Sequence, residues 1–291
     1  MMQILNDILK EVSEIAEIVK NNDELAYNGP KIVVYGATRN IYQKMETAAK
    51  SLLDNTNVDR IIFLTEDDEY PGNLPEIIKT INVSKHNYFP EYSNLSMIWT
   101  YMAALRLTFS KIFPDYDRVL WLDCDTLVVD DISDLFESPL GNRYYVGAVK
   151  ENYHYEEFRY VQKVERDIIV NSTIMVRPSN YCNTGVLLMN LKKIREDGVD
   201  DRMINHLSRH FEGYPDQNVV NIECDGRIYY LSPCYNWSFF TNEEVEPKII
   251  HTSHAPYRKD VEEIINYYEN TSFEKILKHR QLEKVVYRDD I

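Results

Sequence analysis

The sequence predicts an α/β protein built on a mostly parallel sheet with helices on both faces. In the first half of the chain, short apolar runs alternate with segments of helical period, a pattern typical of parallel strands joined by helical crossovers. The chain has 291 residues and is 44% hydrophobic, which is enough for one large core. Because no internal repeat or flexible linker interrupts it, we expect one main domain over residues 31–260. Helical extensions are expected over residues 1–30 and 261–291.

Hydrophobic period and turn residues define the elements of the first half. Residues 3–20 carry apolar side chains on one helical face, and an Asn-Gly-Pro sequence at 28–30 then breaks the chain. We expect this helix to pack on the main domain, and the alternative is packing on a partner chain in a homodimer. The next predicted elements are a strand over 31–37, a helix over 42–53, a strand over 60–65, a helix over 94–109 and a strand over 119–122.

The second half mixes strands with loops, as expected where a binding site is built. Strands are predicted over residues 127–129, 144–149, 185–191, 227–231 and 248–250, and helices over residues 202–211 and 261–291. The last of these helical stretches has a charged face, which predicts a surface position.

The most informative segment is the run RVLWLDCDTLVVDD, which begins at Arg118. Its apolar strand ends in Asp123, Cys124 and Asp125, so two carboxylates lie one residue apart at the end of a buried strand. Two buried carboxylates are costly unless a positive group meets them, and a divalent cation suits their hard oxygens. Ligands also bind at the carboxyl ends of strands in open α/β sheets. The alternative is an Asp-rich turn followed by a helix N-cap. We expect Cys124 to point into the sheet.

Three later segments carry side chains suited to a binding site. The Asn-Thr-Gly sequence at 183–185 stands ahead of a strand, where small residues let a ligand approach the backbone closely. Asp216 and Gln217 present a carboxylate and an amide at the start of a helix. His251 ends an apolar strand. A lone strand-end histidine is more often a satisfied structural residue, but beside the D-x-D motif it is the natural third metal ligand.

Charge and cysteine content narrow the range of partners. The formal net charge is −15, from 32 basic and 47 acidic residues, so the surface repels nucleic acid and we expect no nucleic-acid partner. The four cysteines are scattered, without a C-x-x-C pair, and predict reduced thiols in a cytoplasmic protein. The sequence shows no targeting signal and no long apolar span. Peripheral contact of the C-terminal segment with the inner face of a membrane stays open.

Five stretches of the chain, taken together, resemble retaining glycosyltransferases of family 8. This family includes bacterial lipopolysaccharide galactosyl- and glucosyltransferases and glycogenin. The matching stretches occur in the family's order between residues 32 and about 254, and they read VVYGATRNIY, DYDRVLWLDCDTLVVDDISDLFE, CNTGVLLMNLKK, YPDQNVVN and IIHTSH. The resemblance implies a GT-A fold with a Rossmann-like sheet, so that residues 31–260 form the catalytic domain. It also implies a nucleotide-sugar donor, usually UDP-linked, and a manganese or magnesium ion.

The resemblance assigns roles to individual residues. Asp123, Asp125 and His251 match the family's metal-binding residues, and Asp216 and Gln217 match the catalytic pair beside the reacting sugar. The positions expected to contact the donor are Gly36, Ala37, Thr38 and Asn40 around the uridine, Cys124 within the D-x-D motif, Glu151 near the substrates, and Asn183 and Gly185 facing the donor sugar.

Four positions depart from the family pattern. Thr38 occupies a position that is often an aspartate contacting the base. For the family's basic residue in the helix before the D-x-D motif, the nearest candidate is Arg106. After the histidine, the family usually has a glycine three residues on and a lysine six residues on, and these positions are His254 and Tyr257 here. Arg258 or Lys259 is expected to bind the diphosphate in place of the lysine.

The residues and the resemblance together predict a metal-dependent hexosyltransferase. It would move glucose or galactose from a UDP-sugar to a hydroxyl of a glycan or glycolipid, and the resemblance implies retention at the anomeric carbon. The metal neutralises the departing diphosphate, and Asp216 stabilises an oxocarbenium-like sugar. Two alternatives stay open. One is a nucleotide-sugar-binding protein without activity, and the other is a HAD-type phosphatase, which also places a D-x-D motif after a strand.

Overall fold

A seven-stranded sheet and a two-stranded sheet form the centre of the structure. The computed structural model describes residues 27–85, 88–89, 101–151, 180–210, 212, 214–238, 244–252 and 259–286. In chain order the strands are β1 (Ile32–Gly36), β2 (Arg60–Thr65), β3 (Ile78–Asn82), β4 (Arg118–Leu122), β5 (Thr126–Val128), β6 (Val146–Lys150), β7 (Cys182–Asn190), β8 (Ile228–Tyr230) and β9 (Ile249–His251). The large sheet has the order β3-β2-β1-β4-β7-β6-β8, and β5 pairs with β9 in the small one.

The large sheet is mostly parallel, as the sequence predicted. β1 runs parallel to β2 and β4, β2 to β3, and β6 to β8, whereas β7 runs antiparallel to both of its neighbours. Strands in such a sheet are buried on both faces. In β4, Val119 and Trp121 pack into one core layer, and Leu120 and Leu122 pack into the other. This double burial explains the uninterrupted apolar runs in the sequence.

Helices cover both faces of the sheet. In chain order they are α1 (Tyr42–Asn55), α2 (Tyr101–Ala104), α3 (Phe109–Ile112), α4 (Leu191–Glu196), α5 (Val199–Arg209), α6 (Pro215–Glu223), α7 (Lys259–Glu269) and α8 (Phe273–Val286). Side chains of α1 join the core layer that contains Leu120, and those of α5 and α6 join the layer that contains Trp121. Within the residues described, none of the helices is long and apolar enough to cross a bilayer.

The C-terminal helices pack against α1. The side chain of Lys50 donates a hydrogen bond to the backbone oxygen of Tyr268, 3.2 Å away. The guanidinium of Arg280 donates to the backbone oxygens of Leu53 and Thr56. These contacts tie the predicted C-terminal tail to the first crossover helix, while the predicted domain boundary at residue 260 stays a prediction.

The structure differs from the predicted elements in several places. The Asn-Thr-Gly sequence at 183–185, expected ahead of a strand, lies within β7, because that strand already begins at Cys182. The helix α4 was not predicted. The edge strand β3 was not predicted, because Ile78 is its one fully buried side chain and Lys79 and Thr80 face solvent, so it lacks an apolar run. In the predicted helix over 94–109, the described part from Tyr101 is interrupted by a 3₁₀ turn, Leu105–Thr108. Residues 94–100 and the predicted helix over 3–20 lie outside the described part of the chain.

Candidate active site

Asp123, the first aspartate of the D-x-D motif, lies immediately beyond the carboxyl end of β4. Its backbone N–H donates to the oxygen of Gly185 at 2.8 Å, which fixes the turn against β7. Its Oδ1 accepts hydrogen bonds from Trp121 Nε1 at 2.6 Å and from the Arg106 guanidinium at 2.8 Å. The protein therefore holds one carboxylate oxygen, and the other, Oδ2, faces His251.

His251 approaches the two aspartates from β9. Because β9 pairs with β5 in a register that sets His251 opposite Thr126, the imidazole lies beside Asp125. Its Nε2 is 3.2 Å from Asp125 Oδ1 and 3.9 Å from Asp123 Oδ2. Gly185 leaves room for this ring, since a Cβ at that position would lie 2.2 Å from His251 Cε1. Glycine at this position therefore gives the histidine ring the space it occupies, in addition to the close backbone approach that a ligand would need.

The second ring nitrogen of His251 is held by an asparagine. Its Nδ1 lies 2.9 Å from Oδ1 of Asn236, and Asn236 donates from its own amide nitrogen to Asn183 Oδ1 at 2.9 Å. The amide oxygen of Asn236 therefore accepts, and Nδ1 of His251 carries a proton. This leaves Nε2 directed at the carboxylates, as in metal-ligating histidines that donate their other N–H to a fixed acceptor.

Asp123, Asp125 and His251 fit a divalent cation. One candidate ligand atom from each side chain lies within 4.8 Å of the others. Two carboxylate oxygens and one imidazole nitrogen form a donor set that suits manganese and magnesium. The histidine is only 5% exposed, so a bound ion would be screened from water on that side.

Burial and neighbouring charges at this cluster shift the pKa of each member. Burial raises the pKa of the Asp123 carboxyl above its ordinary value, although Arg106 opposes the shift. Burial also acts to raise the pKa of Asp125, but the contact with His251 outweighs it and leaves that pKa below its ordinary value. For His251, burial acts to lower the pKa, and the two aspartates together raise it above its ordinary value. Opposite charges thus stabilise one another here, as a cation would stabilise both carboxylates.

Arg106 connects the predicted metal ligands to the predicted catalytic pair. Its guanidinium donates to Asp123 and lies 3.3 Å from Oδ2 of Asp216. The arginine side chain is 3% exposed, and its guanidinium stacks 4.5 Å from the ring centroid of Trp121. The same Oδ2 of Asp216 accepts a hydrogen bond from the Thr184 hydroxyl at 3.0 Å. One buried arginine therefore fixes both carboxylates relative to each other.

The side-chain amide of Gln217 has a defined orientation. Its Oε1 accepts from the backbone N–H of Thr184 at 3.2 Å. Its Nε2 donates to Glu151 Oε2 at 3.0 Å and to the Tyr181 hydroxyl at 3.1 Å. Asn183 Nδ2 reaches the other oxygen of Glu151 at 3.4 Å. The structure thus brings Glu151, Asn183 and Gln217 together, although they come from separate segments of the chain.

The loop after β1 lies beside the D-x-D motif. Cys124 Sγ donates to the backbone oxygen of Gly36 at 3.2 Å, and burial raises the pKa of this thiol well above its ordinary value. Ala37 is buried, with its N–H bonded to β2. The hydroxyl of Thr38 donates to Asn40 Oδ1 at 2.5 Å. The predicted nucleotide loop and the predicted metal site are therefore neighbours, and Cys124 turns towards β1 as expected.

The comparison with protein families agrees with this geometry. A family model described as glycosyl transferase family 8 matches residues 32–266, a span that runs from β1 through the D-x-D motif to β9 and α7. The chain belongs to glycosyltransferase family 8. The resemblance drawn from five sequence stretches is thereby confirmed.

Relatives and structural neighbours carry related descriptions. The lipopolysaccharide 1,2-glucosyltransferase of Escherichia coli is 24% identical over 247 residues, which cover 79% of this chain and 68% of that protein. A putative glycosyltransferase of Haemophilus influenzae is 24% identical over 152 residues, which cover 52% of this chain and only 42% of that protein. The structure of the galactosyltransferase LgtC with donor and acceptor sugar analogues matches with a TM-score of 0.61 at 21% identity, over 83% of this chain and 97% of that one. The fold is therefore GT-A, as predicted.

Some residues of this family 8 site were not assigned from the sequence. Arg106 was only the nearest candidate for a basic residue, and Trp121, Tyr181 and Asn236 were given no role. Asn236 ends a 3₁₀ turn, Pro233–Asn236, far from the D-x-D motif in the chain, and only the pairing of β9 brings it to the site. No local signal reveals such a contact. Arg258, predicted at the diphosphate, lies outside the described residues.

A cavity of about 340 Å³ adjoins the D-x-D motif of this family 8 fold. Cys124 and Asp125 form part of its wall, together with Lys44, Thr252 and Glu262. Side chains of α1 and α7 enclose it. A polar ligand thus has space beside the predicted metal site.

Proposed function

We propose that this family 8 protein is a metal-dependent glycosyltransferase that moves glucose or galactose from a UDP-sugar to a hydroxyl of a glycan or glycolipid. The observation that carries the proposal is the contact of Arg106 with both Asp123 and Asp216. It joins the candidate cation site to the carboxylate proposed to face the sugar. The names of the E. coli glucosyltransferase and of LgtC support hexose transfer.

Asp123, Asp125 and His251 are proposed to hold manganese or magnesium. When bound, the ion supplies Lewis-acid stabilisation of the departing diphosphate. The chain prepares its ligands by fixing them: Arg106 holds one oxygen of Asp123, and Asn236 holds the ring of His251. Such outer contacts strengthen metal binding because the ligands need not reorganise.

Asp216 is proposed to stabilise positive charge on the sugar as its bond to the diphosphate breaks. The residue is 7% exposed, and the Thr184 hydroxyl and Arg106 restrict rotation of its carboxylate. A fixed carboxylate in a water-poor site interacts strongly with an oxocarbenium-like transition state.

Gln217 is proposed to act by position rather than as a nucleophile. Its amide oxygen already accepts from the Thr184 N–H, and its nitrogen is shared between Glu151 and Tyr181. An amide oxygen is also intrinsically a weak nucleophile. We therefore favour attack by the acceptor hydroxyl on an ion-pair-like sugar, on the same face from which the diphosphate leaves. This course gives retention without a covalent intermediate.

The loop from Gly36 to Asn40 is proposed to bind the base and ribose, with Cys124 beside it. Asn183 and Gly185 are proposed to face the donor sugar, and Arg258 to bind the diphosphate. Thr38 offers a hydroxyl where relatives often have a carboxylate, so we propose relaxed discrimination between bases. The hydrogen bond from Cys124 to the backbone oxygen of Gly36 supports this placement, because it joins the loop to the D-x-D motif.

The acceptor determines where the protein works. With a glycolipid acceptor, a cytoplasmic protein in peripheral contact with the inner face of a membrane is the arrangement that we propose. A surface with a net charge of −15 supports the absence of a nucleic-acid partner. A homodimer through residues 1–30 stays a prediction.

A screen of nucleotide sugars with manganese, followed by release of free nucleoside diphosphate, tests the proposed function. We expect UDP release from one UDP-hexose and, with an α-linked donor, an α-linked product by NMR coupling constants. Binding of UDP-sugars without any turnover would favour the inactive binding protein. Hydrolysis of p-nitrophenyl phosphate would favour a phosphatase, an alternative that membership of family 8 argues against.

A further inference from the structure

A continuous chain of hydrogen bonds leads from the candidate site to a histidine on α5. It begins at Gln217, whose amide nitrogen donates to the Tyr181 hydroxyl. The further links are Tyr181 hydroxyl to Asn218 Oδ1 at 2.6 Å, Asn218 Nδ2 to Glu212 Oε2 at 2.9 Å, Glu212 Oε1 to His206 Nε2 at 3.1 Å, and His206 Nδ1 to Glu223 Oε1 at 3.0 Å. His206 thus stands at the far end of a path that starts at a predicted catalytic residue.

Each link of this chain has a fixed direction. Because Oε1 of Gln217 accepts from the Thr184 N–H, its Nε2 must donate to Tyr181. The Tyr181 hydroxyl has one proton, which it donates to Asn218 Oδ1. The amide nitrogen of Asn218 then donates to the carboxylate of Glu212. A reversal at any one link would place two acceptors or two donors against each other.

His206 meets a carboxylate at each of its two ring nitrogens. A neutral imidazole has a single N–H, so two hydrogen bonds to carboxylates require the doubly protonated imidazolium. Glu212 is fully buried, and a buried carboxylate needs a cation nearby, which His206 supplies. The hydrogen bond to Glu212, together with the one to Glu223, raises the pKa of His206 above its ordinary value.

Other titratable or charged groups lie near His206 in the described part of the chain. Immediately beyond the end of α5, the His210 ring lies 4.9 Å from the His206 ring, centroid to centroid. Arg202, on α5, lies 3.4 Å from the second carboxylate oxygen of Glu223. From outside α5, the groups that face the imidazole are Glu223 of α6 and Glu212 in the segment between the two helices.

We propose that His206 is a positioning residue for this site: as an imidazolium it holds the buried Glu212, which through Asn218 and Tyr181 keeps the amide of Gln217 directed at Glu151. The inference rests on the proposed function insofar as Gln217 and Glu151 lie beside the substrates. When His206 loses a proton, one ring nitrogen becomes an acceptor that faces a carboxylate oxygen. His206 can then no longer donate a hydrogen bond to both carboxylates. The orientation of Gln217 then loses its support from α5.

A titration by NMR tests the coupling without any substrate. Protein with ¹⁵N-labelled glutamine side chains, in which Gln217 is identified by comparison with Gln217→Leu, is followed together with the His206 ring across pH. We expect the Gln217 side-chain amide to shift with the midpoint of the His206 titration. In Tyr181→Phe, which cuts the path at its centre, His206 should still titrate and Gln217 should cease to follow.

Turnover provides the second readout. We expect His206→Gln to lower kcat roughly tenfold with little change in the KM for the donor, because a misplaced catalytic group affects the transition state most. The variant should also lose the decline in kcat as pH rises through the His206 pKa. The matched control is His210→Gln, at the exposed residue immediately beyond the end of α5, which should keep both the wild-type rate and a decline in kcat as pH rises.

The outcomes separate the two proposals. If no nucleotide sugar is turned over, the proposed function fails, and the NMR titration still decides the role of His206. If transfer occurs but the Gln217 amide ignores the His206 titration, or still follows it in Tyr181→Phe, the positioning role is overturned. If His206→Gln does not fold, the NMR titrations of the wild type and of Tyr181→Phe still decide whether His206 positions Gln217.

Discussion

Gly185 shows how a single backbone position sets the chemistry of the site. A Cβ there would lie 2.2 Å from Cε1 and 2.8 Å from Nδ1 of His251, inside van der Waals contact. We therefore expect Gly185→Ala to displace the imidazole, to weaken manganese binding by about tenfold or more, and to cost about 1–3 kcal/mol of stability. Calorimetry with manganese and urea unfolding measure the two effects.

Gly147 on β6 provides the matched control for that substitution. A Cβ on Gly147 would meet side chains at 3.5 Å, an ordinary contact distance. Gly147→Ala should therefore leave manganese affinity unchanged. If both alanine variants bind manganese as the wild type does, the steric dependence of His251 on Gly185 is wrong.

Asp216 and Gln217 are neighbours in sequence but should differ sharply as variants. Asp216→Asn removes a charge that is needed only while positive charge exists on the sugar, so kcat should fall by about 100-fold or more while donor affinity changes little. Gln217→Ala should cost less, because the amide serves to position rather than to attack. Steady-state kinetics with the best donor compares them. A larger loss in Gln217→Ala than in Asp216→Asn would point instead to covalent catalysis by the glutamine.

At the level of elements, the sequence predicted the positions of the strands better than the contacts between distant segments of the chain. The buried runs of β1, β2, β4 and β7 were predicted because a strand that is buried on both faces is uniformly apolar. The helix α1 was predicted from its helical period. The edge strand β3 was missed because Ile78 is its one buried side chain, so it has no apolar run. The D-x-D motif and His251 were recognisable because each lies at the end of an apolar strand. The contacts of Arg106 and Asn236 were not, since strand pairing between distant segments creates them.

The helix pair α5 and α6 should give stability a measurable pH dependence. The pKa of His206 is raised above its ordinary value of 6.5, so its contribution to stability is fully present below about pH 6.5 and disappears as pH rises through the raised folded-state pKa. Urea unfolding of the wild type and His206→Gln should differ by roughly 1–3 kcal/mol at pH 6, with the difference shrinking at alkaline pH. A difference in unfolding free energy that grows with pH would contradict the conclusion that His206 is an imidazolium in the folded protein.

At the level of the whole molecule, one fold assembles a site from segments spread between Gly36 and His251. The family 8 match covers this span, and the carboxyl end of β4 provides the centre on which the other segments converge. The sequence located that centre from one motif. It did not reveal how Arg106 and Asn236 support it, because buried polar contacts of this kind have no period or spacing in the chain.

The nucleotide loop gives a prediction at this scale, because donor choice depends on the site as a unit. With Thr38 in place of a carboxylate, UDP should bind in the presence of manganese, and GDP and CDP should bind within about tenfold of it. Isothermal calorimetry with the three diphosphates measures this preference. If none of them binds more tightly than inorganic pyrophosphate, the loop from Gly36 to Asn40 does not hold the base.

The most direct measurement is UDP release from a UDP-hexose as a function of manganese concentration, in the wild type, Asp125→Asn and His251→Ala. We expect wild-type turnover to require the ion and to stop with chelator. Both variants should fold normally, by circular dichroism, and should lose more than about 100-fold in turnover at any manganese concentration tested. Full activity of both variants in the presence of chelator would contradict a metal-dependent site at Asp123, Asp125 and His251.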